Sequence, residues 1–176
     1  MAKLSALIGL ARSGKSTFAR KWQLEQDPDG LNRVVVNGDN VRLALHDHRY
    51  IFKAEPIVHG IYQTMVRALL LNPQLHVLMD DTHTTISSVR NVLNLDSDAE
   101  FIYIPCDPEI ARRRAIETNQ TDLIPVIDRM YSNLIKLYEY NLVGRKVTTF
   151  TEGLKDSIEK IREEVRKTKA YADRSV

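Results

Sequence analysis

Gly9-Leu10-Ala11-Arg12-Ser13-Gly14-Lys15-Ser16-Thr17 decides how this chain is read. Its spacing is G-x-x-x-x-G-K-[ST], a loop that wraps phosphate groups. The glycines let the backbone curl so that successive N–H groups face inward onto phosphate oxygens. Lys15 can reach the β and γ phosphates of a nucleoside triphosphate. The Ser16 hydroxyl can ligate Mg²⁺, an ion that keeps most of its waters and takes few protein ligands. A helix starting at Ser16 turns its positive end toward the anion. Gly9, Arg12, Ser13, Gly14, Lys15, Ser16 and Thr17 are therefore the expected nucleotide-binding residues. ATP or another NTP, with Mg²⁺, is the expected cofactor set.

The flanks supply the context that the motif demands. Leu4-Ser5-Ala6-Leu7-Ile8 is a short apolar run suited to a buried parallel strand, and Phe18, Ala19 and Trp22 follow at helical spacing. After the turn Asp27-Pro28-Asp29-Gly30, residues 33–37 read as a second strand. Asp39 or Asn40 can cap a short helix reaching about His46. Ile57, Ile61, Met65 and Leu69 repeat every four residues, a helix that Asn72-Pro73 stops. Strands follow at 76–80 and 100–104, and a weak fifth at 147–150. Helices are expected at 86–93, 109–117, from Pro125 onward, and finally through Leu154, Ile158, Ile161 and Val165. Segments 46–54 and 117–124 are the least regular. Alternating strands and helices predict an α/β three-layer sandwich, with a central parallel sheet of about five strands and helices on both faces. One domain over 1–176 is expected, with a lid region at about 109–124.

Bulk properties restrict the function. Hydrophobic residues make up 43% and charged residues 27%, as in an ordinary water-soluble domain. No apolar run approaches the roughly 20 residues of a membrane helix. The N-terminus enters the first strand directly and does not read as a signal peptide. The single Cys106 excludes an internal disulfide and fits a reducing, cytoplasmic location. A net charge of +2 neither demands nor excludes nucleic acid. Basic and acidic residues alternate in the C-terminal tail, which reads as a solvated helix face. Oligomeric state leaves no signature.

In open α/β sheets, ligands sit beyond the carboxyl ends of the strands. Three such ends are polar here: the phosphate loop, Asn37-Gly38-Asp39-Asn40-Val41-Arg42, and Asp80-Asp81-Thr82-His83. Phosphoryl transfer to a hydroxyl needs a carboxylate that orients and deprotonates the acceptor. Asp39 can serve as that base or simply cap a helix. Arg42, one turn on, can hold a phosphate on the acceptor side. Asp80 or Asp81 can hold magnesium and its waters, or belong to a turn. His46, His48 and His83 read as loop residues, because Mg²⁺ takes oxygen ligands. Arg112, Arg113 and Arg114 point about 100° apart on their helix, and one of them can reach the transferred phosphoryl group.

Together these motifs resemble the kinase domain of bacteriophage polynucleotide 5′-hydroxyl kinases. The resemblance spans most of residues 4–140. The loop Gly9–Thr17, the acceptor motif N-x-D-[DN]-x-R at Asn37–Arg42, and Asp81-Thr82-His83 against the family's D-T-N carry it. Glu55–Gly60, Ile124-Pro125, Met130-Tyr131 and Tyr138-Glu139-Tyr140 extend it. It implies ATP-dependent transfer to the 5′-hydroxyl end of DNA or RNA, with no membrane partner. Lys15 and Ser16 would serve the donor phosphates and Mg²⁺, and Asp39 would be the general base. Arg42 would contact the acceptor phosphate, and Asp81 would be the acid near the metal. The family's lid carries two arginines one turn apart. Arg113 or Arg114 matches the first, whereas Glu117, Thr118 and Asn119 stand near the second. The D-x-D-G-T motif of the bifunctional members' phosphatase domain is absent. A small-molecule kinase acting on a nucleoside, sugar or antibiotic hydroxyl is the rival reading, and a non-kinase NTP-binding module a third. The chain lacks the D-G-[FY]-P-R segment of adenylate-type kinases and the N-K-x-D of GTPases.

Overall fold

The computed structural model describes the backbone of residues 1–142 and the side chains of residues 1–137. The expected strand at 147–150 and the last helix lie outside these residues. Four strands form one parallel sheet: β1 (Lys3–Ile8), β2 (Arg33–Val36), β3 (His76–Met79) and β4 (Glu100–Tyr103), in the order β2-β3-β1-β4. The register sets Leu4 beside Val77, Ala6 beside Phe101 and Val34 beside Val77. The helices are α1 (Lys15–Gln26), α2 (Gly38–His46), α3 (Glu55–Leu70), α4 (Ile86–Leu93), α5 (Pro108–Glu117) and α6 (Ile124–Leu142).

Strand alternation sorts side chains to two faces. Leu4, Ala6, Ile8, Val36, Val77, Met79, Phe101 and Tyr103 point into the larger core, with Val58, Tyr62 and Val66 of α3. Val89, Val92, Ala111, Ala115, Ile127, Leu134 and Leu137 complete that core. Leu7 and Leu78 point the other way, onto Ala19 and Trp22 of α1. Trp22 is 8% exposed. Its ring meets His76 edge-on at 4.9 Å and carries the Arg33 guanidinium 4.4 Å above it. Asp27 Oδ2 accepts from the backbone N–H groups of Asn32 and Arg33, both at 2.7 Å, which fixes the entry into β2.

Two expectations change in detail. The four-residue repeat of α3 is a helix, but Ile57, Ile61 and Met65 form its exposed side, at 60%, 37% and 44% exposure. The buried stripe is Val58, Tyr62 and Val66, one residue further round. Both stripes are apolar, so local pattern cannot rank them; the sheet covers only one. The second change is the cap of α2. Asn37 is its N-cap and accepts from the Asp39 N–H at 2.6 Å, so neither Asp39 nor Asn40 caps the helix. Asp39 lies in the first turn, where a carboxylate complements the helix dipole.

Candidate active site

β1 ends at Ile8, and the chain turns into the phosphate loop. A side chain at Gly9 would come within 2.9 Å of the Ile104 carbonyl, so only glycine fits beneath the loop. Gly14 takes φ 99°, a left-handed conformation that L side chains rarely adopt, and so aims the loop into α1. Lys15 is the first residue of α1 and is 7% exposed. Its Nζ donates to the Leu10 carbonyl at 2.5 Å. Burial lowers its pKa, while Asp80 and then Asp81 pull it back up. The carboxylates thus offset part of what the ammonium loses by leaving water.

The loop opens onto a cavity of about 1250 Å³. Arg12 to Thr17 form one wall, and Asn37, Asp39, Arg42, Asp80 and Asp81 come from the ends of β2 and β3. Asp80 is 6% exposed and accepts from the Asn37 side-chain amide at 2.9 Å, a bond that joins the two strand ends. Asp81 is exposed, and its Oδ1 accepts from the Thr82 N–H at 2.7 Å. Both carboxylates thus border the phosphate loop, and Asp80 exerts the larger pull on Lys15. Ser16, exposed in the first turn of α1, adds a hydroxyl. Among the described residues no group of three or more His, Cys, Asp or Glu forms a metal cluster. One hydroxyl and one or two carboxylates are a donor set that fits Mg²⁺ bound chiefly through phosphates and water.

Arg42 is held on three sides. Its Nε and Nη2 donate to the two Glu55 oxygens at 2.9 and 2.7 Å, and its Nη1 donates to Asp39 Oδ1 at 2.5 Å. An arginine has five N–H donors, so two remain for a ligand. Asp39 Oδ2 makes no hydrogen bond among the described residues and is available to a hydroxyl. Sequence reasoning missed Glu55, since a partner 13 residues away on another helix leaves no local signal. Each side chain is 23% exposed, and the Arg42 charge holds the Glu55 carboxyl below its ordinary value. A double-mutant cycle on Arg42→Gln and Glu55→Gln should give a coupling of about 1 kcal/mol at pH 7. Because the folded pKa is depressed, that coupling is fully present above the ordinary value of about 4.5 and is lost as pH falls through the lower folded value. Urea titrations of the four proteins at pH 7 and pH 3 measure it.

The arginines of α5 separate cleanly. Arg114 lines the cavity, and its Nη1 donates to the Arg12 carbonyl at 3.0 Å. Arg12, itself at φ 64°, returns a bond from Nη2 to Thr118 Oγ1 at 2.6 Å. Arg112 is bound to Asp128 and Glu109. Arg113 is exposed, lies away from the cavity lining, and faces Glu117 at 3.8 Å. Of Arg113 and Arg114, only Arg114 borders the cavity. Arg129 of α6 also reaches the cavity, as do Tyr50, Gln120 and Asp122. None of these four was expected from the motifs. Among the described residues no helix is long and apolar enough to cross a membrane.

Residues 4–131 match a protein family described as an AAA domain. The chain belongs to that AAA-domain family. No curated protein matches it. Among solved structures, this AAA-domain chain superposes on the Pnkp1/Rnl/Hen1 RNA repair complex with a TM-score of 0.69 and 24% identity, over 79% of this chain and 46% of that one. A further Pnkp1/Rnl/Hen1 complex matches with a TM-score of 0.56 and 29% identity, over 64% of this chain and 38% of that one. The APS kinase CysC of Mycobacterium tuberculosis, in complex with AMPPNP and APS, matches with a TM-score of 0.52 and 19% identity, over 65% of this chain and 68% of that one. This chain spans less than half the length of the first two. The fold is that of the P-loop kinases.

Proposed function

We propose that the protein transfers the γ-phosphoryl group of ATP to the 5′-hydroxyl end of a polynucleotide. One observation carries the reading. Across one cavity from the phosphate loop, an arginine clamped by two carboxylates keeps two N–H groups for an anion. A planar guanidinium suits a phosphate on the acceptor, which a sugar or bare nucleoside lacks. The 29% identity to part of a chain of a Pnkp1/Rnl/Hen1 complex supports the same direction.

The chemistry follows from the residues. The loop N–H groups and Lys15 hold the β and γ phosphates. Arg42 holds the acceptor phosphate and, through Oδ1, orients Asp39. Asp39 Oδ2 takes the proton of the 5′-hydroxyl as its oxygen bonds to the γ phosphorus. The bond from that phosphorus to the β–γ bridging oxygen breaks, and ADP leaves. Arg114 faces the charge that spreads over the transferred group. Ser16 with Asp80 or Asp81 would hold Mg²⁺, which would supply charge neutralisation to the donor phosphates. Arg114→Ala should lower kcat on the order of 10²-fold, whereas Arg113→Ala should change it less than about twofold. Steady-state assays of both variants check this. Equal losses would remove Arg114 from its role.

The deciding experiment is transfer of labelled γ-phosphate from ATP to a panel of 5′-hydroxyl oligomers of DNA and RNA, nucleosides, sugars and other alcohols. Preference for the oligomers by at least about tenfold in kcat/KM is expected. Preference for a nucleoside or sugar overturns the polynucleotide reading in favour of a small-molecule kinase.

A further inference from the structure

The chain between α2 and α3 is irregular in sequence but well bonded. It leaves α2 through two successive residues in the left-handed region, Asp47 (φ 52°) and His48 (φ 61°). Neither is glycine, so the turn is strained, and such strain concentrates where a side chain must be aimed. Asp47 N–H donates to the Leu43 carbonyl and Arg49 N–H to the His46 carbonyl, both at 3.1 Å. A single 3₁₀ turn, Phe52–Ala54, then leads straight into Glu55, the residue that clamps Arg42.

This bonded segment holds two aromatic rings in water. Tyr50 is 68% exposed and Phe52 80%. Tyr50 lines the cavity, with the Arg42 guanidinium 5.8 Å from its ring centre. Phe52 lies two residues beyond it, outside the cavity lining. Arg49 and Lys53 flank the rings, and Asp47 is the one acid from His46 to Lys53. Exposed aromatics interleaved with cations, beside a cleft that holds an acceptor phosphate, match the needs of a single strand. Bases stack on the rings, and cations track the phosphates.

We propose that Arg49–Lys53 is a docking platform for single-stranded nucleic acid. The nucleotides following the 5′-terminal one stack on Tyr50 and Phe52, and Arg49 and Lys53 face their phosphates. The inference rests on the polynucleotide reading and adds to it a source of chain-length preference that runs from Tyr50 in the cavity lining to Phe52 beyond it.

The test compares acceptors of increasing length: a nucleoside 3′-monophosphate, then 5′-hydroxyl oligomers of two to ten residues, in deoxy and ribo series. The two series report whether DNA or RNA uses the platform. In the unaltered protein, kcat/KM should rise on the order of 10-fold to 10²-fold with length and then level off. Phe52→Ala should lower it about tenfold for long oligomers and leave the mononucleotide rate unchanged, whereas Phe52→Trp should restore it. Arg49→Ala with Lys53→Ala should flatten the log–log salt dependence of oligomer binding by roughly one unit. Equal kcat/KM at all lengths overturns the platform alone. So does a Phe52→Ala loss shared equally by mononucleotide and oligomer, or a Phe52→Ala variant that changes only self-association. No transfer to any oligomer, with transfer to a small alcohol, overturns the polynucleotide reading and the platform together.

Discussion

Lys15→Ala should reduce phosphoryl transfer by on the order of 10³-fold, with the fold retained. The size follows from position. Lys15 is the one cation that both belongs to the phosphate loop and is buried. A buried charge meets the developing charge of the transferred group with little water between them, where an electrostatic contact is strongest. Its carboxylate neighbours offset part of the cost of burial. Replacement leaves the Leu10 carbonyl without its Nζ partner, but the Ser13 N–H still donates to that carbonyl at 3.2 Å. Single-turnover transfer from labelled ATP, together with a thermal melt, separates chemistry from folding. A folded Lys15→Ala protein with near-normal turnover would sink the donor-site assignment.

Asp39→Asn should lower kcat by 10²-fold to 10⁴-fold, the range typical of a lost general base. The structure makes this a clean substitution. Asn37, and not Asp39, caps α2, so the helix keeps its cap. The amide oxygen can still accept from Arg42 Nη1, so the Arg42 clamp keeps its third contact. What disappears is a carboxylate able to take a proton. KM for the oligomer should change little, because Arg42 and Glu55 remain in place. If kcat is unchanged, Asp39 merely positions Arg42. If kcat and stability fall together, its role is structural.

Most of the architecture was legible, because strand runs and helix spacing are local signals. The strands Lys3–Ile8 and Arg33–Val36 fall within a residue of the expected bounds, and so does the helix Pro108–Glu117. The phosphate loop was legible for the same reason: its function depends on consecutive residues. What the chain did not disclose lies in pairings made across the fold. Glu55 on Arg42, Asn37 on Asp80 and Arg114 on the Arg12 carbonyl join residues 13, 43 and 102 positions apart. Three successive arginines look equivalent until Asp128 occupies one and solvent another. The face of α3 was ambiguous because its two neighbouring stripes have similar apolar content.

Trp22 gives the protein a built-in optical gauge. It is the only tryptophan in the chain, so all indole emission comes from one place. That place lies on the helix whose first turn carries Lys15, about 10 Å along the axis from it. The ring is sealed against Leu7 and Leu78 and touches His76 edge-on. Imidazolium quenches indole more strongly than neutral imidazole does. Burial lowers the His76 pKa, so the emission should stay bright to a pH below the ordinary histidine range and dim as the ring charges. Any movement of α1 that accompanies filling of the phosphate loop would register in the same signal, without a label and without altering a residue.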